Sequence, residues 1–236
     1  MRHVITHHFP RTSVQSQCFA LTRAFNETVV RNLGWEFYAD EKQRVPDLNI
    51  LREKSAIIHE VLDGIPGGDE VLWIDGDVLL VGNRIGDIFS YLGSEGDFGM
   101  CRIDGRLNSG VIPMNVNPAI RELWKEILYH ERQDSKPVIN ELIRQNIYDL
   151  LLDADLPGAA YATLSTTQSV SDGGSYKVKL IELPSMWNQS PTHITTDAQI
   201  IGYHGYDAYS KLRLIRKELE VRHTVAALGN SERISS

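Results

Sequence analysis

Two carboxylates separated by one small residue close an apolar run, in Val71-Leu72-Trp73-Ile74-Asp75-Gly76-Asp77-Val78-Leu79-Leu80. Alternate side chains of an extended chain point the same way, so Asp75 and Asp77 are expected to aim at one point. A hard divalent cation would accept their oxygens there. Gly76 is expected to let a ligand approach the backbone. A metal at a strand end commonly carries a phosphate, and the chemistry this suggests is that of nucleotides. Isolated Asp-x-Asp pairs are frequent in surface turns; the apolar strand beside this one sets it apart. A second pair, Asp153 and Asp155, follows an expected helix and precedes Pro157, and reads as a helix-end turn.

The elements that must position this pair alternate in the first half. Short strands are predicted at residues 4–9, 35–39 and 71–74. Between them lie helices at 12–33 (Val14, Cys18, Leu21, Phe25 and Val29 inward, Gly34 as stop) and at 51–62 (Ile57, Ile58, Val61 and Leu62 inward, Gly64 as stop). This β-α-β-α-β order predicts a parallel sheet covered by helices, with ligands beyond the carboxyl ends of the strands. The second half is mixed. Strands at 98–103 and 111–115 flank Asn108-Ser109-Gly110, and helices are predicted at 118–130 and 137–152. A hairpin at 161–170 and 176–183 turns around Ser171-Asp172-Gly173-Gly174-Ser175. A short strand at 200–204 and a helix at 212–223 follow, and the small, polar tail from Ala226 is expected to fray.

Composition bounds the class. The chain has 236 residues, 42% apolar and 23% charged, ordinary for a soluble globular protein. It reads as one α/β domain over residues 1–225, with halves 1–115 and 116–225 and a flexible tail at 226–236. A net charge of −7 argues against a general nucleic-acid binder. Cys18 and Cys101 are far apart and read as reduced core thiols, with a single bridge as the alternative. The first residues hold no long apolar stretch, and no run approaches the length of a membrane span, so the cytoplasm is the expected compartment.

A helix carrying Lys54, an apolar strand, Asp75-Gly76-Asp77, then Asn108-Ser109-Gly110-Val111, Leu183-Pro184-Ser185-Met186-Trp187-Asn188 and Gly202-Tyr203-His204-Gly205 follow one another in order. This succession resembles the GT-A glycosyltransferases, above all the metal-dependent glycogenin and lipopolysaccharide galactosyl/glucosyltransferase type. The matching segments, at 51–77, 107–114, 183–188 and 200–211, frame most of the chain. The resemblance implies a Rossmann-like, mostly parallel mixed sheet flanked by helices in a single domain. It implies transfer of a hexose from a nucleotide-sugar, most simply a UDP-sugar, to a hydroxyl of a glycan, glycolipid or protein.

By the same resemblance Asp75, Asp77 and His204 hold Mn²⁺ or Mg²⁺, and the imidazole in the shell suits Mn²⁺ better than Ca²⁺. The metal takes up charge growing on the nucleoside diphosphate leaving group. Lys54 matches a basic residue near the donor. Lys211 stands seven residues past His204, where the family places its lysine nearer and often follows it with Pro-Trp, so that motif is altered. Asn108, Ser109 and Gly110 match a sugar-binding turn. Thr6, His7 and Asp40 match the nucleotide end by position, and Asp40 could accept the N3–H of uracil. Asn140-Glu141 is the nearest match to the Asp-Gln-type pair of retaining relatives, and the stereochemical outcome stays open. Trp187 could stack on a sugar or belong to the core. The basic, partly amphipathic stretch at 211–223 reads as a surface helix, with contact to anionic lipid as the alternative.

Other readings fit the same residues. Asp75-Gly76-Asp77-Val78-Leu79 also matches the nucleophile motif of haloacid dehalogenase-type phosphatases, with Asp75 as nucleophile and Asp77 as acid/base. That family places its motif on the first core strand, whereas two β-α units come first here. A sugar nucleotidyltransferase would need a glycine-rich loop after the first strand, and His7-His8-Phe9-Pro10-Arg11 has no glycine. A non-catalytic sugar-nucleotide binder would have less need of Asp75, Asp77 and His204 together.

Overall fold

The computed structural model describes residues 1–8, 10–41, 50–94, 96–103, 106–133, 159–165 and 175–234. Its elements begin with β1 (Arg2–His7), α1 (Ser13–Asn32), β2 (Glu36–Asp40), α2 (Ile50–Gly64), β3 (Glu70–Ile74) and β4 (Val78–Leu80). A 3₁₀-helix (Ile85–Tyr91), β5 (Phe98–Ile103), β6 (Arg106–Asn108), β7 (Val111–Asn115) and α3 (Pro118–Gln133) follow. The chain continues with β8 (Ala159–Ser165), β9 (Ser175–Leu183), a 3₁₀ turn (Ser185–Trp187), β10 (Ile200–Gly202) and a last helix, α4 (Ala208–Ile234).

The main sheet runs β2-β1-β3-β7-β5-β9-β8, with β6 paired to β5. Along that path β7 and β8 alone run against the rest, so the sheet is mixed and mostly of one direction. The strand β3 explains why its sequence is a continuous apolar run. Val71 and Trp73 face a core shared with Ile57, Ile58 and Leu62 of α2 and Ile120 and Trp124 of α3. Leu72 and Ile74 face the opposite core, with Val4, Val30, Val78 and Trp187. Both faces are covered, so alternation disappears, as in buried parallel sheets.

Helix α1 starts where Thr12 accepts the amide of Gln15 at 3.1 Å, a side-chain N-cap. Its inward stripe is Cys18, Thr22, Asn26 and Val30, all buried. Two members of that stripe are polar because they grip the chain after β3. Thr22 Oγ1 donates to the carbonyl of Gly76 at 2.6 Å. Asn26 donates to the carbonyl of Val78 at 2.8 Å and accepts from the amide of Leu80 at 2.9 Å. The segment 76–80 therefore hangs on α1 at one side and pairs with β10 at the other.

The structure differs from the sequence expectation in several places. The apolar run at 78–80 is a separate strand in a two-stranded sheet with β10. The last helix starts earlier, where Asp207 accepts the amides of Tyr209 and Ser210 at 3.0 and 3.1 Å. It also continues to Ile234, into the tail expected to fray from Ala226. Its buried Leu212 and Ile215 pack with Cys18, Leu79, Ile201 and Tyr203, so this apolar side is spent on the core. Both cysteines are free and buried. The helix expected at 137–152 falls outside the described residues, as do Asp153, Asp155 and most of the hairpin turn. No helix among the described residues is long and apolar enough to cross a membrane.

Candidate metal and nucleotide site

Beyond the carboxyl end of β3 the chain does not stay extended. Asp75, Gly76 and Asp77 form a tight turn closed by the amide of Val78 on the carbonyl of Asp75, at 3.1 Å. The two carboxylates thus meet through a turn and not through strand alternation. The side of Gly76 that lacks a side chain does not face open space. A Cβ there would lie 2.6 Å from the carbonyl oxygen of His7. Close packing of β1 on this turn, not ligand approach, is what requires glycine.

His204 comes to the pair from just past β10. Tyr203 donates its amide to the carbonyl of Asp77 at 3.1 Å, which carries the β4–β10 pairing up to the site. One ligand atom from each of Asp75, Asp77 and His204 lies within 4.8 Å of the other two. His204 Nδ1 stands 3.3 Å from Asp77 Oδ1. That oxygen is buried and takes no hydrogen bond among the described residues. An unsatisfied buried carboxylate oxygen is costly unless something else uses it. Two carboxylates and an imidazole, with one buried oxygen whose only neighbour among the described residues is the imidazole, make a donor set that fits a divalent cation.

Two lysines border this set. Lys54 of α2 is 3% exposed, and its ammonium donates to Asp75 Oδ1 at 2.9 Å, to Ser109 Oγ at 3.2 Å and to the Ser109 carbonyl. It also stands 5.3 Å from the ring centre of Trp73, whose indole N–H donates to Asp75 Oδ1 at 2.8 Å. Lys211 of α4 donates to Asp77 Oδ2 at 2.5 Å. Burial alone would raise the Asp77 pKa, but contact with His204 and the Lys211 ammonium hold its carboxyl well below the usual carboxylate range. For His204, burial would lower the value, and it is outweighed by Asp77 first and Asp75 next, which raise it above 6.5.

The turn at 108–110 closes the site from the sheet side. Gly110 accepts the amide of Asp75 at 2.8 Å through its carbonyl and gives its own amide to Asn108 Oδ1 at 2.8 Å. A Cβ on Gly110 would lie 2.2 Å from His204 Cε1, so only glycine lets the histidine reach Asp77. Asn188, just past the 3₁₀ turn, donates to Asn108 Oδ1 at 2.9 Å, and its own Oδ1 lies 3.2 Å from His204 Nε2. Trp187, by contrast, is fully buried among apolar neighbours and is a core residue, not a sugar platform.

A pocket of about 170 Å³ opens beside the carboxylates, lined among others by His7, Phe19, Lys54, Asp75, Asp77 and Lys211. His7 pairs in register with Asp40, which is buried, while Thr6 lies deeper, its Oγ1 without a hydrogen bond among the described residues. The structure therefore places His7, Lys54, Asp75, Asp77 and Lys211 around one opening, with His204, Asn108, Ser109 and Gly110 joined to the two carboxylates by contacts and Asp40 beside His7. Asn140 and Glu141 lie outside the described residues. Thr22, Asn26, Trp73 and Asn188 were not among the predicted site residues. Thr22 and Asn26 had a readable signal, polar residues at four-residue spacing within an otherwise apolar helix stripe, and Asn188 closes the Leu183–Asn188 segment that carried part of the resemblance.

His8, next to the pocket, is buried and stacks on Phe19 with ring centres 5.5 Å apart. Burial first, then the charges of Arg23 and His7, lower its pKa from 6.5 to about 4. The unfolded chain therefore binds more protons between those values, and stability falls as pH falls through them. The full effect, about 3 kcal/mol, is reached near the lower value. Urea denaturation of His8→Asn should show a shallower loss between pH 6.5 and pH 4 than the native chain does. Equal slopes would assign the acid sensitivity to other groups.

No family model matches the chain, and no curated protein matches it. Among solved structures, a glycosyltransferase involved in the glycosylation of the major capsid of PBCV-1 is similar at TM-score 0.63 and 16% identity, over 92% of this chain and 98% of that one. An active-site mutant of LgtC is similar at TM-score 0.49 and 13% identity, over 92% and 96% of the two chains. The galactosyltransferase LgtC in complex with donor and acceptor sugar analogues follows at 0.44 and 13%, with the same coverage. The first of these likenesses establishes the fold, that of the GT-A glycosyltransferases; the other two carry no argument of their own.

Proposed function

We propose that this chain, which has the GT-A glycosyltransferase fold, is a metal-dependent glycosyltransferase that moves a hexose from a nucleotide-sugar to a hydroxyl acceptor. The observation that carries the proposal is the convergence of Asp75, Asp77 and His204 within 4.8 Å, at the carboxyl end of β3. Ligands of α/β sheets bind at such ends. A buried carboxylate oxygen whose one partner in that cluster is the His204 ring leaves capacity that a cation would use.

Asp75, Asp77 and His204 would hold Mn²⁺ or Mg²⁺. The metal, when bound, would offset the charge of the nucleoside diphosphate leaving group. This chain's own residues do the rest. Lys211 stands at the opening, about a fifth exposed, where its ammonium can turn from Asp77 to a diphosphate. Lys54 lines the same pocket and, through its bonds to Asp75 and Ser109, orients the carboxylate. His7 borders the pocket where a base would lie, and Asp40, its neighbour across the β1–β2 pair, carries a carboxylate that suits the N3–H of uracil. The Asn108 amide nitrogen, which has no hydrogen bond among the described residues, can donate to a sugar hydroxyl while its oxygen stays on Gly110 and Asn188. The acceptor would be a glycan, a glycolipid or a protein hydroxyl.

The proposal is tested by incubating the protein with a panel of UDP-sugars and Mn²⁺, without acceptor, and following release of UDP. Slow, metal-dependent hydrolysis of one donor above the rest is the expected result. Hydrolysis of none, with Mg²⁺-dependent cleavage of a simple phosphomonoester, would favour the phosphatase chemistry of an Asp75 nucleophile.

A further inference from the structure

Two lysines already balance the two carboxylates of the site. Lys54 meets Asp75 Oδ1 at 2.9 Å and Lys211 meets Asp77 Oδ2 at 2.5 Å. A divalent cation added to that set meets two ammonium groups as well as two carboxylates. Like charges repel strongly in a partly buried site, where the effective dielectric is below that of water. The two lysines are not equivalent. Lys54 is 3% exposed, and its ammonium is held by Asp75 and by both oxygens of Ser109. Lys211 has Asp77 Oδ2 as its one acceptor among the described residues, and its side chain is 22% exposed at the pocket. The backbone of Lys211 is fixed. Its amide donates at 3.0 Å to the carbonyl of Asp207, the residue that caps α4, and Cys18 Sγ donates to the carbonyl of Ala208 at 3.6 Å. What can turn is the side chain.

We propose that Lys211 is an electrostatic latch that couples the two ligands of the site: its ammonium lowers the affinity for a cation alone and, by turning from Asp77 to a nucleoside diphosphate, makes cation and diphosphate bind together. The proposal rests on the metal-binding reading of Asp75, Asp77 and His204. A cation alone has to share Asp77 with the ammonium. A diphosphate alone has to draw the ammonium away, which leaves the buried Asp77 carboxylate with the His204 ring as its one partner. With both ligands each charge is matched, because Asp77 faces the cation and Lys211 faces phosphate oxygens. Such coupling is reciprocal: what the diphosphate does for the affinity of the cation, the cation does for that of the diphosphate. The chain would thereby take its cation with the donor and not ahead of it.

The test is Mn²⁺ affinity without nucleotide, followed by electron paramagnetic resonance, in the native chain, Lys211→Met and Lys211→Arg. Lys211→Met keeps the aliphatic stem and removes the charge, and it should bind Mn²⁺ at least about 5-fold more tightly than the native chain. Lys211→Arg keeps the charge and should match the native affinity. UDP affinity at saturating Mn²⁺ should move the other way in Lys211→Met, at least about 5-fold weaker, so that the coupling is lost from both sides. A lysine that only supports the carboxylate predicts the opposite sign for the metal, since its loss would weaken Mn²⁺ binding. Weaker or equal Mn²⁺ affinity in a folded Lys211→Met chain would therefore overturn the latch and leave the metal reading in place. Lys211→Gln gives the same comparison should the methionine variant fail to fold. Mn²⁺ bound by Lys211→Met and not by the native chain would support the latch in its strongest form. Mn²⁺ bound by neither would overturn the metal reading and the latch together.

Discussion

Asp77→Asn should keep the fold and lose Mn²⁺ affinity by at least about 100-fold, since even the outer partners of metal ligands cost 10–100-fold when removed. The substitution keeps the shape of a side chain that is 12% exposed. The contacts that place residue 77 are made by backbone: the amide of Tyr203 on its carbonyl, and the flanking grip of Thr22 and Asn26 on residues 76, 78 and 80. What changes is charge. Lys211 loses its partner but is 22% exposed and can turn to water, and His204 loses the group that favours its protonated form. Electron paramagnetic resonance of Mn²⁺ gives the affinity, and circular dichroism checks the fold. Native affinity in a folded Asp77→Asn chain would place the metal elsewhere.

Lys54→Met should carry the largest stability cost of the site substitutions. Methionine matches the length of lysine, so packing against Trp73 survives while the ammonium is lost. The change strands Asp75 Oδ1 with one donor, the indole of Trp73, and leaves the oxygens of Ser109 without their cation. Removing one partner of a buried pair costs about 3–5 kcal/mol. The lower end applies, because the Asp75 side chain is 33% exposed and water screens part of the loss. Denaturant unfolding of the metal-free chain should therefore show a loss near 3 kcal/mol, with Mn²⁺ recovering part of it by replacing the missing positive charge. A loss below about 1 kcal/mol would mean that Lys54 behaves as an ordinary surface charge in solution.

These two residues show where sequence reading succeeds and where it stops. The β-α-β-α-β half was legible because apolar spacing at four residues, and a run with no polar interruption, have few structural meanings. Strands β5 and β7 and the start of α3 lie where the pattern put them. The position of Asp75, Asp77 and His204 around one point was also legible, but its cause was not. Alternation along a strand was the expected mechanism, and a turn closed by Val78 is the actual one. The meaning of Gly76 changed for the same reason, since its bare face meets the His7 carbonyl. Lys54 was expected near the donor; it lines the pocket, and from the inner side of α2 its ammonium also reaches a carboxylate and a carbonyl, a second role that its position in the sequence did not show. The contact of Asn188 could not be found by spacing: its link to Asn108 spans 80 residues and exists because β6 and β9 both pair with β5, where Cys101 is the partner of Asn108 and of Leu183. The altered lysine motif after His204 proved compatible with the site because α4 begins early enough to bring Lys211 back onto Asp77.

The most direct test of the account is calorimetry of the chelator-treated protein with UDP, in the absence and in the presence of Mn²⁺. The account predicts heat of binding only when Mn²⁺ is present, because Asp75, Asp77 and Lys211 face the pocket and a diphosphate needs a cation between itself and the two carboxylates. Binding of equal strength without metal, or no binding under either condition, would contradict it.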